Sequence, residues 1–217
     1  MKTVVLVMIY PMQLFFFMYG QKRETMTSGQ HSTTLVFTIP VHDTLNSNRM
    51  PRNTFVKSKT ALRLRQLGAR EGIVHHRERD AAQQKYDLLM AERDVIQRKA
   101  NLVKKMRKKK MPDTEIQSAV TTLDAEHHKL VPSSSIVVPY MFTTFTVDVE
   151  VSSYNKAIFD PPNFYPTVKP IIDGLTDTSW WADDNFHYLT AMTFTAGEPR
   201  RELNKEYMFT MTFTENS

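Results

Sequence analysis

Val168, Ile171, Ile172 and Leu175 recur at i, i+3, i+4 and i+7, a spacing that one conformation satisfies well, an α-helix with a single buried stripe. The helix is predicted to start near Thr167, because Pro166 and Pro170 suit a first turn, where a missing N–H has no partner to lose. Past Gly174 it has little reason to continue. Lys169 and Asp173 stand four apart and are neighbours on its polar surface; as a solvated pair they would contribute well under ~1 kcal/mol. Asp160 precedes the helix, and Asp183-Asp184 follow once residues 176 to 182 have carried the chain back. Acidic groups arriving from two loops can offer oxygen ligands to a hard cation such as magnesium. An Asp before a Pro-Pro turn and an Asp-Asp pair before a strand can also be plain turn formers.

The rest of the chain alternates between strand and helix signals. Leu35, Phe37 and Ile39 alternate with Thr34, Val36 and Thr38, the period of a strand packed on one face. Val147, Val149 and Val151 do the same against Asp148, Glu150 and Ser152, so this strand buries its valines and shows two carboxylates on its other face. Residues 187 to 194 and 206 to 214 read as two more strands, the second alternating Phe209, Met211 and Phe213 with threonines, with Gly197-Glu198-Pro199-Arg200 as the turn between them. A helix led in by Lys57 and Lys59 runs through Arg70, with Leu62, Leu64 and Leu67 inward and Arg63, Arg65 and Arg70 available to solvent or a nucleic-acid backbone. The predicted fold is α+β, a mixed sheet of about four strands with helices on one face. No repeat and no glycine-rich phosphate loop is present.

Residues 71 to 130 differ in character: they are rich in charge of both signs and contain a single proline, Pro112. They are predicted to form an inserted helical hairpin, a long helix, a turn at Met111-Pro112-Asp113, and a second helix from Thr114 to about Lys129. Asp113-Thr114 supplies the cap of that second helix and Ile116, Val120 and Leu123 its apolar side. Eight of the thirteen residues from Arg98 to Lys110 are basic, ending in Lys108-Lys109-Lys110. Such a run suits a solvated helix C-terminus or a phosphate backbone. His75-His76 and His127-His128 bracket the hairpin, but adjacent histidines point apart on a helix and no cysteine completes a zinc set.

Residues 1 to 30 are read as an apolar leader outside the folded domain, which spans 31 to 217. The run from Val4 to Tyr19 is shorter than the ~20 residues a membrane helix needs and is broken by Pro11 and Gln13. Translation starting at Met26 is preferred to a signal or anchor, and no stable membrane association is expected. The chain has no cysteine, which excludes disulfides and thiol nucleophiles and suits a reducing cytoplasm. A net charge of +5 is compatible with a polyanionic partner.

Asp160-x-x-Asn163, Pro166-Thr167-Val168-Lys169, Asp173-Gly174-Leu175 and Asp183-Asp184 together resemble the signature of RusA-type Holliday junction resolvases, in the form of their phage and actinobacterial branch. The motif covers about 27 residues, with weaker similarity over residues 34 to 70 and in the flanking strands. The resemblance implies a RusA-like fold and a magnesium-dependent endonuclease, with manganese as the alternative ion, that resolves branched DNA in recombination, repair or phage DNA processing. It also implies a homodimer whose two-fold axis matches the junction's. Asp160, Lys169 and Asp184 take the catalytic positions; Asp160, Asp183 and Asp184 take the metal, with Asn163 and Asp173 in support. The loop with Asn46, Asn48, Arg49 and Arg52, with Lys57 and Lys59 after it and Lys108, Lys109 and Lys110 on the hairpin, would meet DNA. Pro162 stands where the family has its second aspartate, and Asp148 or Glu150 is the available replacement. The alternative is a catalytically disabled junction-binding module of the same fold.

Overall fold

A strand that buries its large side chains on one face is stable only when its neighbours present the same face, so the alternating segments pair into one sheet. In the computed structural model, which describes residues 20–27, 30–127 and 132–216, the sheet has five strands. They lie in the order β1 (Gly20–Thr27), β2 (Gln30–Pro40), β5 (Glu206–Glu215), β3 (Phe145–Ser153), β4 (Leu189–Ala196). Neighbours are antiparallel except β3 and β4, which run parallel. The fold is therefore α+β with a mixed sheet. Its fifth strand is β1, which lies within the segment expected to stand outside the folded domain. The apolar run from Val4 to Tyr19 lies outside the described residues.

Phe37 stands opposite Phe209, Leu35 opposite Met211 and Val147 opposite Phe213, and these residues form one core with the apolar stripe of α4 (Tyr165–Asp177) and with Leu64 and Leu67 of α1 (Thr54–His75). Both helices cover the same face of the sheet. Parallel strands cannot be joined by a tight hairpin, and α4 is the crossover between β3 and β4.

α4 begins at Tyr165, earlier than expected, and runs past Gly174 to Asp177, so Pro170 lies inside it. One lost backbone hydrogen bond is offset by Val168, Ile171, Ile172 and Leu175, all fully buried. Gly174 does not end the helix. It is the point of closest approach: a Cβ there would lie 2.1 Å from the Arg65 carbonyl oxygen, and one on Gly68 would lie 2.1 Å from that of Ile171. The contact advances along both helices together, from Gly68 at Ile171 to Gly72 at Leu175 and Thr178. α1 and α4 thus run in the same general sense, and their N-terminal ends share one end of the layer.

Two expectations for α1 are corrected. Leu62 faces water at 55 % exposure, because Leu64 and Leu67 already hold the inward positions. Arg65 is not free for solvent or DNA; it is bound to Asp177.

The charged segment forms α2 (Arg79–Lys108) and α3 (Asp113–His127). Residue 71 does not open the hairpin, since α1 continues through His75 and the helix is interrupted only at residues 76 to 78, where His76 Nδ1 accepts a hydrogen bond from the Glu78 N–H at 3.0 Å. Residues 128 to 131, including the expected end of the second helix, lie outside the described residues. The proximal half of α2 docks on the domain: Lys85 donates to Ser179 Oγ at 3.0 Å, Arg93 grips Asp177, and Glu92 accepts from the Ser133 N–H and hydroxyl at 2.7 and 2.8 Å. No helix among the described residues is long and apolar enough to cross a membrane.

Candidate functional site

The polar stripe of α4 carries Tyr165, Lys169, Asp173 and Asp177, each four residues after the last and so on one side of the helix. The Lys169 ammonium donates to Asp173 on this stripe and to Asp184 on the returning loop. Burial disfavours its charged form, but hydrogen bonds and charge from Asp173 and Asp184 outweigh that penalty and hold the Lys169 pKa above the ordinary lysine value.

Two buried tryptophans place Asp184 there. Trp180 donates through Nε1 to the Gly72 carbonyl at 2.9 Å, and its own carbonyl accepts from the Met141 and Phe142 amides at 2.9 and 3.0 Å. Trp181 stacks on Phe145 with ring centroids 4.0 Å apart and donates to Thr176 Oγ1 at 2.7 Å. The chain therefore leaves α4 through a fixed corner, and the next residues pass back along the helix. Periodicity alone marks this stretch only as a return; an adjacent Trp pair between a helix and an acidic turn is the signal for a buried anchor.

The other expected site residues are placed as follows. Asp183 shapes its own turn, accepting from the Asp184 amide at 2.8 Å and from Asn185 Nδ2 at 2.7 Å. Asp160 is the residue before the turn Pro161–Phe164 and accepts from Asn163 Nδ2 at 3.2 Å. Asp148 and Glu150 cannot replace the aspartate missing at Pro162. They alternate with Val147, Val149 and Val151, which face the helices, so they point from the opposite face of the sheet, where Asp148 accepts from Thr193 Oγ1. The structure brings together Lys169, Asp173 and Asp184, and among the described residues no group of three or more His, Asp or Glu is arranged to hold a metal ion. Magnesium does not require such a group, since it keeps several waters and takes one or two carboxylates together with substrate phosphate. Asp184, with its carboxylate already turned to a cation and Asp183 next to it in the chain, has the donor chemistry for that mode; Asp160 stands apart from this cluster, with Asn163 as its hydrogen-bond partner.

The polar loop after β2 does come to this end of the domain. The Thr167 hydroxyl in the first turn of α4 accepts from the Leu45 amide at 2.7 Å and donates to the Leu45 carbonyl at 2.8 Å. Asn46 caps the following turn by accepting the Asn48 amide at 2.9 Å, so its side chain is occupied locally. Arg49, Arg52, Lys57 and Lys59 are exposed beyond it. Lys108, Lys109 and Lys110 are exposed too, but they sit at the hairpin tip, about 22 Å along α2 from Arg93 at 1.5 Å per residue, and do not belong to the Lys169 cluster.

Comparison with protein-family profiles, curated proteins and solved structures finds no match for this chain.

Proposed function

We propose that the protein is a magnesium-dependent endonuclease acting on branched DNA. The observation that carries this reading is the meeting of Lys169 with Asp184 and Asp173 beside an exposed cationic loop, in an α+β domain whose motif resembles that of RusA-type resolvases. Arg49, Arg52, Lys57 and Lys59 draw the DNA backbone to the N-terminal ends of α1 and α4. Lys169 neutralises charge that develops on the phosphate under attack. Asp173 keeps the ammonium in place when Asp184 turns to another partner. Asp184 would hold the ion, with Asp183 next to it in the chain and Asp160 as the further ligand that the resemblance implies; when bound, the ion supplies an activated water and offsets phosphate charge. The hairpin tip adds a second, non-specific grip on the backbone. Paired cuts across a junction call for a homodimer.

Pro162, with no carboxylate to offer, favours a second reading, a junction-binding module without cleavage. Incubating the purified protein with a four-way junction and magnesium separates the two. Symmetric nicks support the enzyme, and retarded but intact junctions support the binder.

A further inference from the structure

Two large aromatic side chains stand in solvent close in the chain to the two members of the Lys169–Asp184 pair. Tyr165, 46 % exposed, lies one helical turn before Lys169, with Cβ atoms about 5–6 Å apart. Phe186, 78 % exposed, follows Asp184 by two residues, which limits their Cα separation to about 7 Å. Neither is loosely presented. Tyr165 belongs to the first turn of α4, which Thr167 ties to Leu45. Phe186 sits in a turn pinned by Asn185, whose side chain accepts the His187 amide at 2.9 Å and whose carbonyl accepts the Tyr188 and Leu189 amides at 3.0 and 2.9 Å. Its ring rests on that of His187, centroids 3.9 Å apart. A single exposed aromatic is ordinary; two carried on fixed turns next to an ammonium and a carboxylate form a surface with a chemistry of its own.

We propose that Tyr165 and Phe186 are stacking platforms for unpaired nucleobases on either side of the phosphate at Lys169, and that they give the site its preference for branched over linear DNA. This rests on the DNA reading above. In a continuous duplex each base is covered on both faces by its neighbours, so an aromatic ring has nothing to stack on. At a branch point bases can unstack, and aromatic side chains bind their exposed faces whatever the sequence. The cations attract any DNA; the rings add what linear DNA cannot satisfy.

The test uses the full chain, a four-way junction carrying 2-aminopurine at one branch-point nucleotide, and a linear duplex of the same arm sequence. Phe186→Ala and Tyr165→Ala are expected to weaken junction binding about tenfold each, to leave duplex binding unchanged and to abolish the change in 2-aminopurine fluorescence. Phe186→Trp and Tyr165→Phe are expected to retain all three properties. Both side chains are at the surface, and matching thermal melts confirm folding. Alanine variants that bind the junction as tightly as the unmodified protein overturn the proposal, as does an equal loss on junction and duplex. A native protein that retards neither DNA overturns the nuclease reading and the proposal with it, whereas junction cleavage unaffected by the alanine substitutions removes the stacking role alone.

Discussion

Arg93 and Asp177, 84 positions apart, form a two-toothed pair with N–O distances of 2.8 and 2.7 Å, while Arg65 of α1 grips the same carboxylate from its own helix at 2.7 and 2.8 Å. One side chain at the end of α4 therefore joins the inserted hairpin to the domain core. Burial works against the charge on Asp177, but hydrogen bonds and charge from Arg65 and Arg93 overcome it and hold its pKa below the usual aspartate value.

Asp177→Ala is expected to destabilise the protein by about 3 kcal/mol, because two guanidinium groups are left facing each other without their counter-ion. Arg93→Met is expected to act more locally, raising hydrogen exchange across residues 79 to 127 while β2, β3 and β5 stay protected. For a carboxylate whose folded pKa is depressed, the stabilisation is complete above the unfolded value near about pH 4 and is lost as pH falls through the lower folded value. Denaturant titration from pH 7 into the acid range checks this: native protein should lose stability below about pH 4, and Asp177→Ala should lose less.

Asp184→Asn is expected to abolish junction cleavage while keeping junction affinity in a gel-shift assay. The amide keeps the shape of the side chain and removes its charge. Equal cleavage by the variant would remove Asp184 from the chemistry.

Lys169→Met is expected to lower single-turnover cleavage by about a hundredfold to a thousandfold, the usual loss when a charge-stabilising donor is removed. Its folded pKa is raised, so the ammonium contribution is complete below the unfolded lysine value near about 10.4 and is lost only as pH rises through the higher folded value. Cleavage should therefore show no alkaline decline from Lys169 between about pH 7 and 9. Asp173→Asn lowers that folded value and should bring the decline to lower pH, which a rate profile in both proteins would reveal.

Gly174→Ala is expected to cost about 2–3 kcal/mol through overpacking, because the new Cβ meets backbone atoms of Arg65 and Ala69 that cannot rotate away. Urea midpoints with an unchanged m-value would show the loss to be one of packing.

Replacing Lys108, Lys109 and Lys110 together by Ala is expected to weaken DNA binding without changing junction preference. The slope of log affinity against log salt should fall by up to about three, close to one for each phosphate that is no longer neutralised. An unchanged slope would place the hairpin tip off the DNA.

The amino-acid sequence by itself determined the alternation of Leu35, Phe37 and Ile39 in β2, of the valines in β3 and of Phe209, Met211 and Phe213 in β5, and with it the buried face of the sheet. It also determined the apolar stripe of α4 and the hairpin turn at Pro112, because periods of two and of 3.6 residues depend on chain geometry alone. Tertiary structure decided everything that depends on partners distant in sequence: that Arg65 and Arg93 share Asp177, that Gly68 and Gly174 mark a helix contact and not a helix end, and that Asp148 and Glu150 fall on the wrong side of the sheet for the site. It likewise decided that Asp184 meets Lys169. Neighbouring residues reveal which face a side chain takes, but the group it meets there is set by how the layers stack.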